Sequence, residues 1–199
     1  GLSQLQNRGY DSTGVAYIYD QSITIHKEAS DDEQLALKKI QTLTANMRDN
    51  PNNYMMMGHT RWATHGEKNA LNAHPHISYD KKFSIIHNGI IENYEEIKQF
   101  LQTKQIDCIS ETDSEVIVHV IAYHYSIHKN IKTAIMNTIS QLKGTWALII
   151  MCVDTPTILY GIKYQMPLLV GYKRDKSLCM FTSELSAFDE SIEHYIIPN

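Results

Sequence analysis

No block of basic residues occurs anywhere in these 199 residues: 18 lysines and arginines lie scattered among 22 acidic residues, for a formal net charge of −4 at pH 7. With a pI near 6.2 and no interleaving of aromatic with basic side chains, an electrostatic grip on nucleic acid is not expected. No apolar run approaches the ~20 residues needed to span a bilayer, so no membrane partner is expected. The opening residues, Gly1-Leu2-Ser3-Gln4-Leu5-Gln6-Asn7-Arg8, lack the charged-then-apolar layout of a signal peptide. Cysteine is scarce. Cys108, Cys152 and Cys179 are odd in number and widely spaced, with no CxxC pair; this argues against a disulfide framework and for a reducing, cytoplasmic setting. Linkers, repeats and low-complexity tracts are absent, so residues 1–199 read as one domain long enough to bury a real core. Finally, no Cys, Ser or Thr stands at the N-terminus.

What is present alternates between apolar strands and polar loops. Gly14–Tyr19 reads as a strand with Ile23–Lys27 as its partner, turned by Asp20-Gln21-Ser22. Leu35, Leu37, Ile40, Leu43 and Met47 recur at helical spacing from Asp32 to Met47, and Asn50-Pro51-Asn52 stops that helix. Tyr54–Gly58 and Phe83–His87 have the texture of buried strands, and Glu92–Gln102 of a helix. Thr112-Asp113-Ser114-Glu115 has the capping-box pattern and opens a helix to about His128. A further helix covers Ile131–Leu142. Strands follow at 145–153, 157–162, 168–172 and 178–182. Strands, then helices, then strands fit an α+β sandwich of two packed sheets with helices outside. A doubly wound parallel sheet fits less well, because helices and strands do not alternate regularly.

Three segments concentrate polar chemistry where apolar strands end: Gly58-His59-Thr60-Arg61-Trp62-Ala63-Thr64-His65-Gly66, Asn72-Ala73-His74-Pro75-His76 and His87-Asn88-Gly89-Ile90-Ile91-Glu92-Asn93. Arg61 suits a carboxylate held through two parallel hydrogen bonds; the bland alternative is a structural ion pair. Asp113 at the start of a helix is either a favourable dipole contact or, paired with Arg61, the ammonium side of an amino-acid clamp. Asn88 with the Gly89 N–H offers two donors of the kind an oxyanion needs; the bland reading is an Asn-Gly turn. The histidines 59, 65, 74, 76 and 87 cluster in sequence, but His74-Pro75-His76 is not a zinc spacing and no cysteine accompanies it in order. His124 and His128, one helical turn apart, read as surface histidines. No metal is expected.

Arg8-Gly9-Tyr10-Asp11-Ser12-Thr13-Gly14, the three segments above and Glu111-Thr112-Asp113-Ser114-Glu115 occur in one order. Together they resemble the glutaminase domain of the glutamine–fructose-6-phosphate aminotransferases, also called glucosamine-6-phosphate synthases, which are class II, N-terminal-nucleophile amidotransferases. Weaker likeness continues through Gln141-Leu142-Lys143-Gly144, Met166-Pro167-Leu168 and Thr182-Ser183-Glu184. The phosphoribosylpyrophosphate amidotransferases share the Arg-Gly and Asn-Gly signatures, but Trp62, His65 and His74-Pro75-His76 are more like the hexosamine group.

The resemblance implies a four-layer αββα sandwich and L-glutamine as substrate. It implies that Arg61, Thr64 and His65 hold the α-carboxylate, Asp113 the α-amino group, and Asn88 with Gly89 the oxyanion. Trp62 would shape the wall by which ammonia leaves, and Arg8 and Gly9 would steady the loop beside the nucleophile. No cofactor is implied. The partner is a sugar isomerase domain through which the enzyme is a homo-oligomer. The family nucleophile is an N-terminal cysteine whose own α-amino group, pKa ~7.7–8.0, is the base. This sequence starts at Gly1, within the first helix of the family pattern, so the expectation is a domain incomplete at its N-terminus, without that cysteine and without the isomerase half. Two other classes stay open: a catalytically dead glutamine-binding or regulatory module, and a structural interaction domain with no glutamine affinity.

Overall fold

Asp20 and Gln21 turn the chain between β1 (Ser12–Tyr19) and β2 (Ser22–Ala29) with φ of 47° and 57°. Two left-handed residues in succession give the twist that matches a two-residue hairpin, and Tyr19 pairs directly with Ser22. The computed structural model describes residues 1–5, 9–45, 55–62 and 66–198. After the hairpin come α1 (Ala36–Leu43), β3 (Met56–Arg61), β4 (His76–Ile77), β5 (Phe83–Ile91), α2 (Tyr94–Thr103), α3 (Glu115–His128) and α4 (Ile131–Ile139). The chain ends with β6 (Gly144–Cys152), β7 (Leu159–Tyr164), β8 (Leu169–Tyr172), β9 (Cys179–Thr182) and β10 (His194–Ile196). No helix among the described residues is long and apolar enough to cross a membrane.

Among the described residues the strands form three sheets with orders β2-β1-β3, β4-β5-β6-β7 and β10-β8-β9, and neighbours within each run antiparallel. A doubly wound parallel sheet is thereby ruled out. β6 shows how the layers are made. Its residues Leu148, Ile150 and Cys152 pack with α2, α3 and α4 in one cluster, while the intervening Ala147, Ile149 and Met151 pack with Ala16, Ile18 and Met57 of the facing sheet. Successive strand side chains point to opposite faces, so a strand apolar at every position must be buried on both. α1 lies on β1 and β2, burying Ala36, Leu37 and Ile40 outside the inter-sheet cluster. The result is an α+β four-layer αββα sandwich.

Several elements depart from their expected bounds for local reasons. α1 begins at Ala36 rather than Asp32 because Asp31 Oδ1 accepts from the N–H groups of Glu33 and Gln34, holding those residues in a side-chain turn. Ser30 Oγ then accepts the Ala36 N–H at 2.8 Å. The proposed end of that helix at Met47 and 50–52, and Tyr54 at the head of the next strand, lie outside the described residues. The capping box at 112–115 does not form: Ser114, which precedes α3, makes no side-chain cap bond. Its neighbours' polar groups reach the adjoining strands instead, as set out below. β4 and β10 had no clear sequence signal, being two and three residues long.

Candidate active site at the open end of the sandwich

The inter-sheet layer changes from apolar to polar along β3 and β5. Met57, His59 and Arg61 share one face of β3, and Met57 belongs to the inter-sheet cluster. Ile86 and Asn88 share the facing side of β5, with Ile86 packed on the same cluster. Two residues further along each strand, methionine and isoleucine thus give way to histidine and asparagine, with arginine following on β3. His59 Nε2 and Asn88 Oδ1 are 2.9 Å apart. Beside them runs a groove of about 550 Å³, walled by β3 and β9, with Ile86, Asn88, Ala147 and Ile149 on its floor.

His59, Thr60, Arg61 and Asn88 through Ile91 were expected in loops carried by strands; they lie within the strands themselves. Asn88 pairs with Ala147 and Gly89 with Trp146 on β6, so this Asn-Gly is not a hairpin turn. Gly89 has φ of +133°, and a Cβ there would lie 2.0 Å from the Thr145 carbonyl oxygen. The position therefore requires glycine twice over, by conformation and by space.

Arg61 closes β3 and is only 6% exposed. Its Nη1 donates to the Glu67 carbonyl at 3.4 Å. Burial pulls the guanidinium below its ordinary pKa, and the carboxylates of Asp11, Asp113 and Glu111 act in the opposite direction. Arg61 and Asp113 thus lie within electrostatic range of each other, which the sequence alone does not show. Asp113 is buried, its Oδ2 accepting the Ile91 N–H at 2.7 Å and its Oδ1 the Ser114 hydroxyl at 3.2 Å. Ser114 Oγ in turn sits 2.8 Å from His87 Nδ1. Because that hydroxyl donates to Asp113, the His87 ring N–H is the donor to it.

Gly9 lies against the end of β3: a Cβ would stand 2.6 Å from the Arg61 carbonyl carbon. The Asp11 N–H donates to the Arg61 carbonyl at 3.1 Å, and Lys68 pairs with Asp11 at 2.7 Å. Trp62 is exposed, with its ring edge-on to Tyr10 at 5.4 Å between centroids. Arg8, Thr64 and His65 lie outside the described residues. Of the expected site, then, Gly9, Arg61, Trp62, Asn88, Gly89 and Asp113 are described, and they converge on the ends of β3 and β5.

Sequence reasoning assigned no role to the side chains that brace these. Asn72 and Glu111 exchange bonds: Asn72 Nδ2 donates to Glu111 Oε2 at 2.8 Å and the Glu111 N–H to Asn72 Oδ1 at 2.9 Å. Glu111 Oε2 also accepts the Glu67 N–H, and these bonds lower its pKa. The signal for such a brace was the coincidence of buried-type polar residues in several motifs, but a partner 39 positions away is invisible along the chain.

The histidines do meet in space. His74 stacks on His59 at 4.5 Å and 20°, and lies 4.7 Å from His76 and 6.4 Å from His87. Burial, with the neighbouring histidines adding to it, holds His74 well below the usual imidazole pKa; burial and then Lys27 bring His76 to about 3. His74 Nδ1 accepts the His87 N–H, and His76 Nε2 meets Thr112 Oγ1. These neutral rings are hydrogen-bonded structural groups.

A separate trio, Cys108, Glu115 and His119, brings potential ligand atoms within 4.8 Å of one another. His119 Nδ1 accepts the Tyr79 N–H at 3.1 Å, so its proton resides on Nε2, 3.2 Å from Glu115 Oε1. Glu115 also accepts the N–H groups of Ile109 and Ser110. A cation at this point would have to displace the Nε2 proton while Nδ1 is already occupied by the Tyr79 N–H, so Glu115 and His119 act as a lock between loop and helix.

Residues 59–190 match the profile of the glutamine amidotransferase domain family. A glutamine–fructose-6-phosphate aminotransferase (isomerizing) of Methanococcus maripaludis is 42% identical over 195 residues, which is 96% of this chain and 31% of that protein. One of Clostridium acetobutylicum is 39% identical over 176 residues, 88% of this chain and 27% of its own length. The chain thus spans less than a third of the length of these relatives. Among solved structures, glutamine phosphoribosylpyrophosphate amidotransferase of B. subtilis superposes with a TM-score of 0.69 at 25% identity, over 87% of this chain and 36% of that one. A glutamine aminotransferase class-II domain protein of Silicibacter pomeroyi shares the fold, with a TM-score of 0.58 at 16% identity over 83% of this chain and 77% of that one.

Proposed function

This chain belongs to the glutamine amidotransferase domain family, and from that premise we propose that residues 1–199 act as the glutaminase half of a glutamine–fructose-6-phosphate aminotransferase. In this reading ammonia is released from L-glutamine for the synthesis of glucosamine 6-phosphate by a sugar isomerase domain, in a cytoplasmic homo-oligomer. The observation that carries it is that Arg61 lies in the field of Asp113, while Asn88 meets His59, two residues before Arg61 on β3. Sequence identity near 40% to proteins of that name, against 25% for the phosphoribosylpyrophosphate enzyme, favours the sugar acceptor.

Charge and position support the following roles, which are those the family resemblance implies. Arg61 takes the α-carboxylate through parallel hydrogen bonds, and Asp113 takes the α-ammonium with the carboxylate oxygens that already hold Ile91 and Ser114. Thr64 and His65 complete the carboxylate pocket, while Arg8 and Gly9 support the loop beside it. The side-chain amide of the substrate then faces Asn88 Nδ2 and the Gly89 N–H, which stabilise the oxyanion formed when a thiolate attacks. Trp62 lines the exit for ammonia. Cys108 and Cys152 pack on the helix-covered face of the central sheet, opposite Asn88, so neither is the nucleophile of this reaction.

Calorimetric titration with L-glutamine tests the reading. Charged hydrogen bonds contribute ~1.5–3 kcal/mol each, so Arg61→Ala lowers affinity by roughly two orders of magnitude at least. D-Glutamine and L-asparagine bind far more weakly than L-glutamine. Absence of any L-glutamine binding by the protein with Arg61 intact, in a preparation that melts cooperatively, defeats the proposal.

A further inference from the structure

We propose that His59 is a positioning residue, which sets the orientation of the Asn88 carboxamide so that its amide nitrogen faces the groove. This inference deepens the glutaminase reading and rests on it for its catalytic consequence.

A carboxamide presents an acceptor on one side and two donors on the other, and reversing it exchanges them. Asn88 Oδ1 can only accept, so the 2.9 Å contact requires a proton on His59 Nε2. With Oδ1 occupied by His59, Nδ2 is the end turned away from His59. His59 and Asn88 both line the groove beside β9. The reversed amide would set the NH2 group against an N–H and aim a carbonyl oxygen at the site of a developing oxyanion, removing one donor and adding repulsion.

The His59 ring is itself held. Gly14 on β1 is the partner of His59 across the β1–β3 ladder, and a Cβ on Gly14 would stand 2.3 Å from the His74 carbonyl oxygen. The missing side chain admits His74 over this pair, and its ring stacks on that of His59. His74 is fixed in turn by the His87 N–H donated to its Nδ1 at 3.2 Å. Burial keeps His74 neutral, so the stack adds no positive charge beside Asn88. β1, β3, β5 and the 74–76 segment thus converge on one amide.

Two variants of the full-length natural protein test this, assayed for steady-state hydrolysis of L-glutamine. His59→Phe keeps the ring and its stacking but has no donor. It is expected to lower kcat about 10²-fold, the effect of losing one oxyanion donor, with KM within about threefold of wild type because Arg61 and Asp113 are untouched. His59→Gln places an amide N–H near the position of Nε2 and is expected to recover kcat to within about tenfold. A wild-type kcat in His59→Phe, equal damage in both variants, or a raised KM at unchanged kcat overturns the proposal.

Long-range proton–nitrogen correlation in 15N-histidine-labelled protein supplies a readout independent of activity. His59 is expected to carry its proton on Nε2. A bare Nε2 facing Asn88 would require the reversed amide and overturns the inference whether or not glutamine is hydrolysed. Conversely, a protonated Nε2 in a wild-type enzyme without glutaminase activity supports the orientation and removes only the proposed function.

Discussion

Asp113 Oδ2 accepts the Ile91 N–H at 2.7 Å, so the carboxylate that precedes α3 anchors the last residue of β5. One side chain thereby serves both the framework and the candidate clamp. The two duties separate by mutation. Asp113→Asn keeps an oxygen for the Ile91 N–H and removes the charge. It is expected to lower stability by about 1 kcal/mol at most, while glutamine affinity falls ten- to hundredfold. Asp113→Ala strands a buried N–H as well and lowers stability by about 1–3 kcal/mol. Calorimetric titration and urea unfolding of both variants check this; equal glutamine affinity in Asp113→Asn and wild type would remove Asp113 from the clamp.

Glu115 makes acid stability of this protein predictable in sign. Burial raises its pKa, but hydrogen bonds from His119 and from the Ile109 and Ser110 backbone outweigh burial and bring it to about 2 from 4.5. A folded-state pKa below the unfolded value means that the folded state favours the ionised form. The stabilisation is fully present above about pH 4.5 and is lost as pH falls toward 2. Glu115→Gln gives up one of the two backbone bonds and the charge, and is expected to cost about 1–3 kcal/mol at pH 6. Urea unfolding of both proteins at pH 6 and pH 3 should show that gap shrinking at the lower pH; a gap that widens contradicts the assignment.

The three thiols differ in environment, and their reactivity should follow. Cys152 is buried in the helix-side core and its pKa is raised by burial. Burial, reinforced by the Glu115 charge, pushes Cys108 to about 12. Cys179, on β9, is exposed. Thiolate, rather than thiol, reacts with a disulfide reagent, so the native protein at pH 8 should show one fast thiol, abolished by Cys179→Ser. Cys152 should react only on unfolding. Two or more fast thiols in the native state would contradict the burial of Cys108 or Cys152.

Strand texture and chemical motif were legible along the chain; the partners were not. The apolar run of β1, the alternation of β2 and the continuous apolar run of β6 marked strands, since side-chain period and burial are local properties. The same run could not say which of its residues met helices and which met the opposing sheet. Asn88-Gly89 read equally as a turn or a donor pair, and only pairing with Ala147 and Trp146 decided for the strand. Thr112-Asp113-Ser114-Glu115 matched a capping box, yet three of its side chains reach His76, Ile91 and His87. Local propensity yielded there to stronger tertiary partners.

By itself, then, the sequence determined which residue types stand together: arginine, tryptophan, asparagine and glycine after apolar strands, and an acidic cluster before a helix. That was enough for the family and for the candidate roles, because chemistry of this kind depends on side-chain identity in ordered motifs. Tertiary structure decided the distances. It brought Arg61 into the field of Asp113 across 51 intervening positions, set His59 against Asn88 from a different sheet, and joined Glu115 to His119 and to the Ser110 backbone in a hydrogen-bonded lock. Such long-range hydrogen bonds and electrostatic contacts exist only once the layers have packed, because their directions depend on positions that no local stretch of sequence specifies.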